Sequence, residues 1–409
     1  MIEPLDWQDH ITGTNLGSHR YCCLAVDMLE SHNIRAFGPF VLLSQIGMGG
    51  MAEVYLAIRK CNGEVRKPVA LKCILGPYSN LPEFTDLFLH EARISLLVNH
   101  PNIAQAWDCV VIEGRSTMVM EYLNGLTLDK VLASLRSKRE LIPLDIALHI
   151  GIQMLDALSY IHQLTDEFNQ PLNTVHRDVS PQNICICFDG QCKLFDFGVA
   201  RYGKTDLQKG MLVGKCAYMS PEQCHGLKFD SRSDLFALAA ILYELTTGIP
   251  AFAREDDIQT LNALTNQPII PPVQQIAGYP ATLSQIIMSG LQRDPNRRYQ
   301  NAAQFANDLR SCIHALNHQP ITPAQIASWM SLRFAKERLE HRQMLTQGIA
   351  FVDHMHERTM QTQTAVTDAI SSGQTLTLTM KTLEITASKL THPAQQGPLK
   401  PPPLPNRPK

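Results

Sequence analysis

Apolar and polar positions along this chain change period several times, and each change marks an element. Phe40–Ile46 and Tyr55–Ile58 are short apolar-rich runs that flank Gly47-Met48-Gly49-Gly50-Met51-Ala52-Glu53-Val54, two strands around a glycine-rich turn. Val69-Ala70-Leu71-Lys72 reads as a strand carrying one cation. Leu81–Val98 has helical spacing, and Ile103–Ile112 and Thr117–Glu121 read as two more strands. Pro143–Gln163 places Ile146, Ile150, Met154, Leu155, Leu158 and Ile161 near a 3.6-residue period, a long helix with one apolar face. Ile184–Phe188 and Cys192–Phe195 are joined across Asp189-Gly190, a strong hairpin signal. Asp230–Leu245 is apolar on all faces and is expected to be buried. Thr322–Gln347 predicts one amphipathic helix with Ile326, Trp329, Met330 and Phe334 on one side, docked on the domain before it. Beyond it, Val352, Met355, Thr359, Thr362, Val366, Ala369, Gly373, Leu376, Met380, Leu383, Ala387 and Leu390 step by three and four, a heptad seam with a poor core. A dimerising coiled coil, a flexible tail and packing on the preceding domain are the three readings of that seam. The proline-rich end, Pro398–Lys409, reads as an extended solvated terminus; its Pro402-x-x-Pro405-x-Arg407 also suits an aromatic groove.

Composition narrows the classes. The 409 residues suffice for two or three domains, and 44% hydrophobic content supplies a large core. A net charge of −2 gives no case for nucleic acid or an anionic membrane. The 11 cysteines are odd in number, scattered and often inside apolar runs, which fits buried thiols in a reducing compartment. Cys185-x-Cys187 with Cys192 has a spacing that ordinary hairpin positions also produce, so a buried strand is preferred to a metal site. No signal peptide is visible at Met1–His10, and no run approaches the roughly 20 apolar residues of a membrane span; the longest, Leu235–Leu245, is interrupted by Glu244. The expected location is cytoplasmic. Residues 1–36, with a short helix at Cys22–Leu29, carry no assigned role.

The chemistry gathers at the hairpin. His176-Arg177-Asp178 lies at one end and Asp196-Phe197-Gly198 at the other, and a hairpin brings its ends together. Asp178, Asn183 and Asp196 should converge into an oxygen-rich site suited to a hard cation such as Mg²⁺. The glycine turn, lacking Cβ atoms, lets backbone N–H groups approach phosphate oxygens, although a plain hairpin turn has the same sequence. Lys72 alone would more often be a snorkelling side chain.

Taken in order, these stretches resemble the protein kinases, and Gly-Gly-Met-Ala-Glu-Val-Tyr, His-Arg-Asp-Val-Ser-Pro-Gln-Asn and Tyr-Met-Ser-Pro-Glu-Gln are most similar to bacterial serine/threonine kinases of the eukaryotic type. The roles that follow are those the resemblance implies for the matching positions of this chain. It implies an α+β, two-lobed kinase fold: an extension at 1–36, a small lobe at 37–123, a large lobe at 124–315, a C-terminal helix at 316–347 and a tail at 348–409. It implies ATP with Mg²⁺, or Mn²⁺ in its place, and protein substrates. The nucleotide would lie against Ile46, Gly47, Met48, Gly49, Gly50, Met51, Ala52, Glu53 and Val54, between walls of Ala70, Val54 and Cys185. Met120 would guard the rear pocket, and the hinge Glu121-Tyr122-Leu123 would meet the adenine edge. Lys72, paired with Glu91, would position phosphates; Asp196 and Asn183 would hold metal; Asp178 would orient the hydroxyl and accept its proton. Asp234 would hold the catalytic-loop backbone, and Arg298 would pair with Glu222. Arg177 would receive a phosphorylated activation segment, with Thr205 the best-placed acceptor.

The chain departs from the pattern at four places. Ala52 replaces the third loop glycine, where φ > 0 would be costly, and Ser95 stands one turn after Glu91 in place of an apolar residue. Ser180 stands where these kinases carry a lysine, and Lys215 where they carry a threonine. The two expectations are an exchanged pair, with Lys215 reaching the γ-phosphate and Ser180 replacing the hydroxyl, or a weakened site. An active Ser/Thr kinase that also phosphorylates itself is the first reading, and a nucleotide-binding pseudokinase scaffold is the alternative. A small-molecule phosphotransferase would have no need of Ser220-Pro221-Glu222 and Arg298.

Overall fold

The computed structural model describes residues 34–60, 66–197, 216–316, 319 and 321–371, with side chains as far as 354. A first unit covers Met1–Ile349 and a second Ala350–Lys409. The expected helix at Cys22–Leu29, Thr205, Lys215 and the seam beyond Ser371 lie outside the described residues.

The first unit opens with β1 (Arg35–Phe37), β2 (Phe40–Met48), β3 (Ala52–Lys60) and β4 (Arg66–Ile74). Helix α1 (Pro82–Leu97) follows, then β5 (Ala106–Ile112) and β6 (Arg115–Glu121). The six strands form one antiparallel sheet in the order β1-β2-β3-β4-β6-β5. Its faces bury separate apolar sets. Phe37, Leu42, Ala57, Val69 and Leu71 pack on one side, and Ala52, Ile74, Phe88, Ala92 and Met118 pack α1 on the other. Ile103, expected inside β5, instead makes a lone bridge to Leu194.

The remainder of the unit is mainly helical. After β7 (Gly125–Thr127) come α2 (Leu128–Ser137) and α3 (Leu144–His162), then β8 (Ile184–Cys187) and β9 (Cys192–Leu194). Next are α4 (Arg232–Thr247), α5 (Asp257–Thr265), α6 (Ala281–Gly290) and α7 (Ala302–Ala315). The six apolar positions read in α3 are all buried in this core. By length and composition α3 could cross a membrane, although Asp145 and Asp156 interrupt its apolar run; here it is a core helix. Helix α4 is buried along nearly its whole length, as its all-round apolarity required.

The single amphipathic helix expected at Thr322–Gln347 is two helices, α8 (Pro323–Arg333) and α9 (Ala335–Ser371). Phe334, at φ −125° and ψ 39°, leaves the helical region between them. The turn lets Ile326, Met330 and Phe334 all enter the large-lobe core, each fully buried. Thr322 caps α8 reciprocally with Gln325, which sets its start.

Candidate active site

The hairpin forms as read, with Ile184, Cys185 and Ile186 opposite Leu194, Lys193 and Cys192. Gly190 takes φ +88° in its turn, where a Cβ would be strained. The chain entering the hairpin is pinned from below. Asp234, 1% exposed at the start of α4, accepts from the backbone N–H of His176 at 2.8 Å and of Arg177 at 2.9 Å. Its Oδ2 also lies 2.8 Å from His162 Nε2. These bonds hold Arg177 at φ 71°, a left-handed conformation costing about 1–3 kcal/mol for a residue other than glycine. Asp196 is held at φ 64°.

Asn183 donates through Nδ2 to the Asp178 carbonyl at 2.8 Å and to Asp178 Oδ2 at 2.6 Å. Two acceptors on one nitrogen fix the amide orientation and turn Oδ1 the other way, as a metal ligand requires. Across the cleft Lys72 stands on β4 opposite Val54 and Met118. Its Nζ pairs with Glu91 Oε1 at 2.5 Å and also with Asp196. Burial alone would lower the Lys72 pKa, but Asp196 and Glu91 outweigh it and hold the ammonium above its ordinary range. Burial raises Glu91, opposed by the Lys72 charge and reinforced by Asp196. The sheet, α1 and the hairpin thus meet at one ion cluster, buried at Lys72 and Glu91 and open at Asp196.

The glycine turn closes with Gly49 N–H donating to Ala52 C=O at 2.7 Å. Ala52 opens β3 in register with Ile74 and is not among the left-handed residues, so the alanine carries no such strain. Ile46 and Met48 are exposed along the cleft rim, and Glu53 is held by Arg115 at 2.5 Å. Ala70 and Cys185, the expected walls, are buried, and Met120 is half-buried. At the hinge, Glu121 N–H donates to Gln105 C=O at 2.8 Å. Ser95 is buried on α1, where an apolar side chain was the family pattern. Ser180 is 2% exposed, and its hydroxyl finds no hydrogen-bond partner among the described residues.

Three features escaped the sequence reading. Lys193, 8% exposed on β9, reaches Glu121 Oε2 at 2.9 Å and so ties hairpin to hinge. Glu244, 1% exposed in α4, accepts from Tyr218 at 2.5 Å and pairs with Arg136. Tyr122, in the hinge itself, bonds His341 at 3.1 Å. A charge inside an apolar run was the available signal for the first two, since a buried charge must be paired. The Arg298–Glu222 partnership that the resemblance implied is formed. Arg298 Nη1 and Nη2 lie 2.6 and 2.7 Å from Glu222 Oε1 and Oε2, and Ser233 donates to the same carboxylate. Phe197 is buried against the His176 ring, with centroids 5.1 Å apart.

A sheet-and-helix lobe over a helical lobe, with a lysine–glutamate pair facing an asparagine and two aspartates, defines a phosphoryl-transfer class of cleft. A family model described as the protein kinase domain matches residues 40–311, and the chain belongs to that family. Among relatives, the tyrosine-protein kinase MasK of Myxococcus xanthus is 34% identical over 312 residues, covering 76% of this chain and 48% of MasK. The probable serine/threonine-protein kinase CPE1738 of Clostridium perfringens is 31% identical, covering 66% of this chain and 38% of its own. The serine/threonine-protein kinase PknB of Mycobacterium tuberculosis is 31% identical, covering 64% and 41%. The chain thus spans about half or less of the length of these relatives. The crystal structure of the M. tuberculosis PknI kinase domain superposes with a TM-score of 0.51 at 23% identity, over 68% of this chain and 96% of that one. That likeness speaks to the fold.

The family uses ATP and a divalent metal. The donors present fit a hard cation: Asp196 offers a carboxylate and Asn183 an amide oxygen, which leaves positions for water and substrate phosphates. The described residues contain no cluster of three or more His, Cys, Asp or Glu side chains that could cage an ion by itself. Cys185, Cys187 and Cys192 are buried free thiols on the hairpin strands.

Proposed function

We propose that this chain is an ATP-dependent protein kinase that transfers the γ-phosphate to serine and threonine hydroxyls, its own among them. The observation that carries the reading is the assembled cluster of Lys72, Glu91 and Asp196 facing the bonded pair Asp178 and Asn183. Lys72 would hold the α- and β-phosphates, Asn183 and Asp196 would hold Mg²⁺ (or Mn²⁺), and Asp178 would orient the hydroxyl and accept its proton. The bound ion would neutralise charge developing on the transferred phosphoryl group. The protein's part is positioning: Asp234 sets the loop carrying Asp178, and the hairpin sets Asp196 against Lys72.

Pro181 and the Tyr218-Met219-Ser220-Pro221-Glu222 segment favour serine and threonine over tyrosine, as do the names of CPE1738 and PknB, whereas MasK is named a tyrosine kinase. The buried Ser180 hydroxyl, with no partner among the described residues, supports its use toward substrate; Lys215, the other half of the exchange, lies outside the described residues. Incubation of wild type and Asp178→Asn with Mg-ATP, followed by phosphosite mapping, tests the reading. Phosphoserine and phosphothreonine on wild type only are expected. No phosphate on wild type would favour the scaffold, and phosphotyrosine alone would move the acceptor class. Lys215→Met should abolish transfer; an unchanged rate would sink the Ser180/Lys215 exchange.

A further inference from the structure

The family match ends at residue 311, yet the chain beyond it touches both sides of the nucleotide cleft. Helix α8 is seated on the large lobe. A Cβ on Gly190 would collide with the Pro323 carbonyl oxygen, so hairpin and helix are in close contact. Arg333 pairs with Glu140 at 2.7 Å. The chain turns at Phe334, and the first turns of α9 run past the hinge. His341 stands edge-on to Phe188, with ring centroids 5.6 Å apart, and its Nδ1 lies 3.1 Å from the Tyr122 hydroxyl. One turn further, Met344 Sδ accepts from Ser44 Oγ at 3.2 Å. At Gly348 a Cβ would collide with the Leu43 side chain, so glycine permits this approach to β2.

Hairpin, hinge and β2 are therefore gripped in succession by one segment, 323–349. Strand β2 leads directly into the glycine turn. Hinge residue Glu121 is held by Lys193 of the hairpin, and its neighbour Tyr122 is held by His341. Burial pushes the Tyr122 phenol up to about 12 and pushes the His341 imidazole down, so the bond joins two neutral groups at neutral pH. The lobes are gripped in the arrangement in which Lys72 is paired with Glu91 and Asp196. A helix that spans both lobes in that arrangement resists their opening.

We propose that His341 is a positioning residue for the nucleotide: through Tyr122 it fixes the hinge backbone that reads adenine, and its helix holds the lobes at the separation ATP requires. The proposal rests on the reading of the cleft as an ATP site. The Tyr122 bond is the link that can be broken without emptying the core, because His341 and Tyr122 are both only half-buried.

The test uses the full chain, with steady-state kinetics in ATP and in a peptide substrate, and direct titration with a fluorescent ATP analogue. His341→Ala should raise the KM for ATP by about 5-fold, the equivalent of one hydrogen bond, and should raise it more than it lowers kcat. The peptide KM should not move. Tyr122→Phe should give the same shift, and the double variant should be no worse than either single one. His341→Asn, which returns a polar atom near the Nδ1 position, should recover most of the loss. Gly348→Leu, which drives a side chain into Leu43, should reproduce the ATP-selective loss from the other lobe. Equal changes in ATP and peptide KM would indicate mere destabilisation and overturn the proposal, as would additive singles or an unmoved ATP KM. Failure of wild type to bind the analogue would overturn the ATP reading itself; normal wild-type binding with unaffected variants would overturn only the role of His341.

Discussion

Replacing Arg298 by methionine isolates the buried pair that supports the active site. In the structure Arg298 is side-chain buried, bonds both Glu222 oxygens, and donates to the carbonyls of Gln292 at 2.6 Å, Arg293 at 2.9 Å and Arg232 at 3.2 Å. Its guanidinium also sits 4.8 Å from the Phe236 ring centroid. Methionine fills much of the volume but leaves a buried carboxylate with Ser233 and three carbonyls short of a donor. Breaking one side of a buried pair costs about 3–5 kcal/mol, and the carbonyl losses overlap with that figure rather than add to it. At about 4 kcal/mol and a urea slope of about 3 kcal/mol/M, the unfolding midpoint should fall by about 1.3 M. The pH dependence gives a second handle. Burial alone would raise the Glu222 pKa, but Arg298 and Ser233 outweigh it and hold it below the ordinary carboxylate value. Its contribution is therefore fully present above the unfolded pKa and is lost as pH falls through the depressed folded value. In Arg298→Met the burial is left with only Ser233 and a backbone hydrogen bond against it, the folded pKa rises, and acid relieves the penalty. The stability gap between wild type and variant should thus narrow from pH 7 to pH 4, measured by urea unfolding followed by circular dichroism. A gap below about 1 kcal/mol at pH 7, or one independent of pH, would refute the argument.

Asp234→Asn keeps one acceptor oxygen but aims an amide N–H₂ at backbone donors, so kcat should fall about 100-fold from a misplaced loop while the protein stays folded by circular dichroism. Lys193→Met releases Glu121, and isothermal titration should show ATP affinity about 3-fold weaker, a value reduced because Glu121 is partly exposed. Tyr218→Phe removes the hydroxyl from the buried Glu244, whose pKa burial already raises. It should cost about 2 kcal/mol and lower the melting temperature by about 4–8 °C in a thermal scan.

The candidate site residues were legible because their spacing is local. Asp178 and Asn183 sit on one loop, Asp196 closes the adjoining hairpin, and Lys72 stands in an apolar strand that makes its charge conspicuous. Element positions were also legible: α3 and β6 lie within two residues of the stretches read from period alone. The Glu222–Arg298 and Lys72–Glu91 pairs were available only through the family resemblance, since no spacing joins them. The division of the C-terminal helix was missed because Phe334 continues the apolar stripe that it geometrically ends.

By itself the sequence determined the kinase kernel, the strands and helices that carry it, and the apolar face of α8. Residue type and period settle those, because hydrogen-bonding chemistry and side-chain direction are properties of short segments. Only the tertiary structure decided that Lys193 meets Glu121, 72 residues away, and that His341 meets Tyr122, 219 residues away. Period says which face of a helix is apolar, but the surface that covers it is chosen by packing, which is where the segment beyond the kinase match came to rest on the hairpin, Tyr122 and β2.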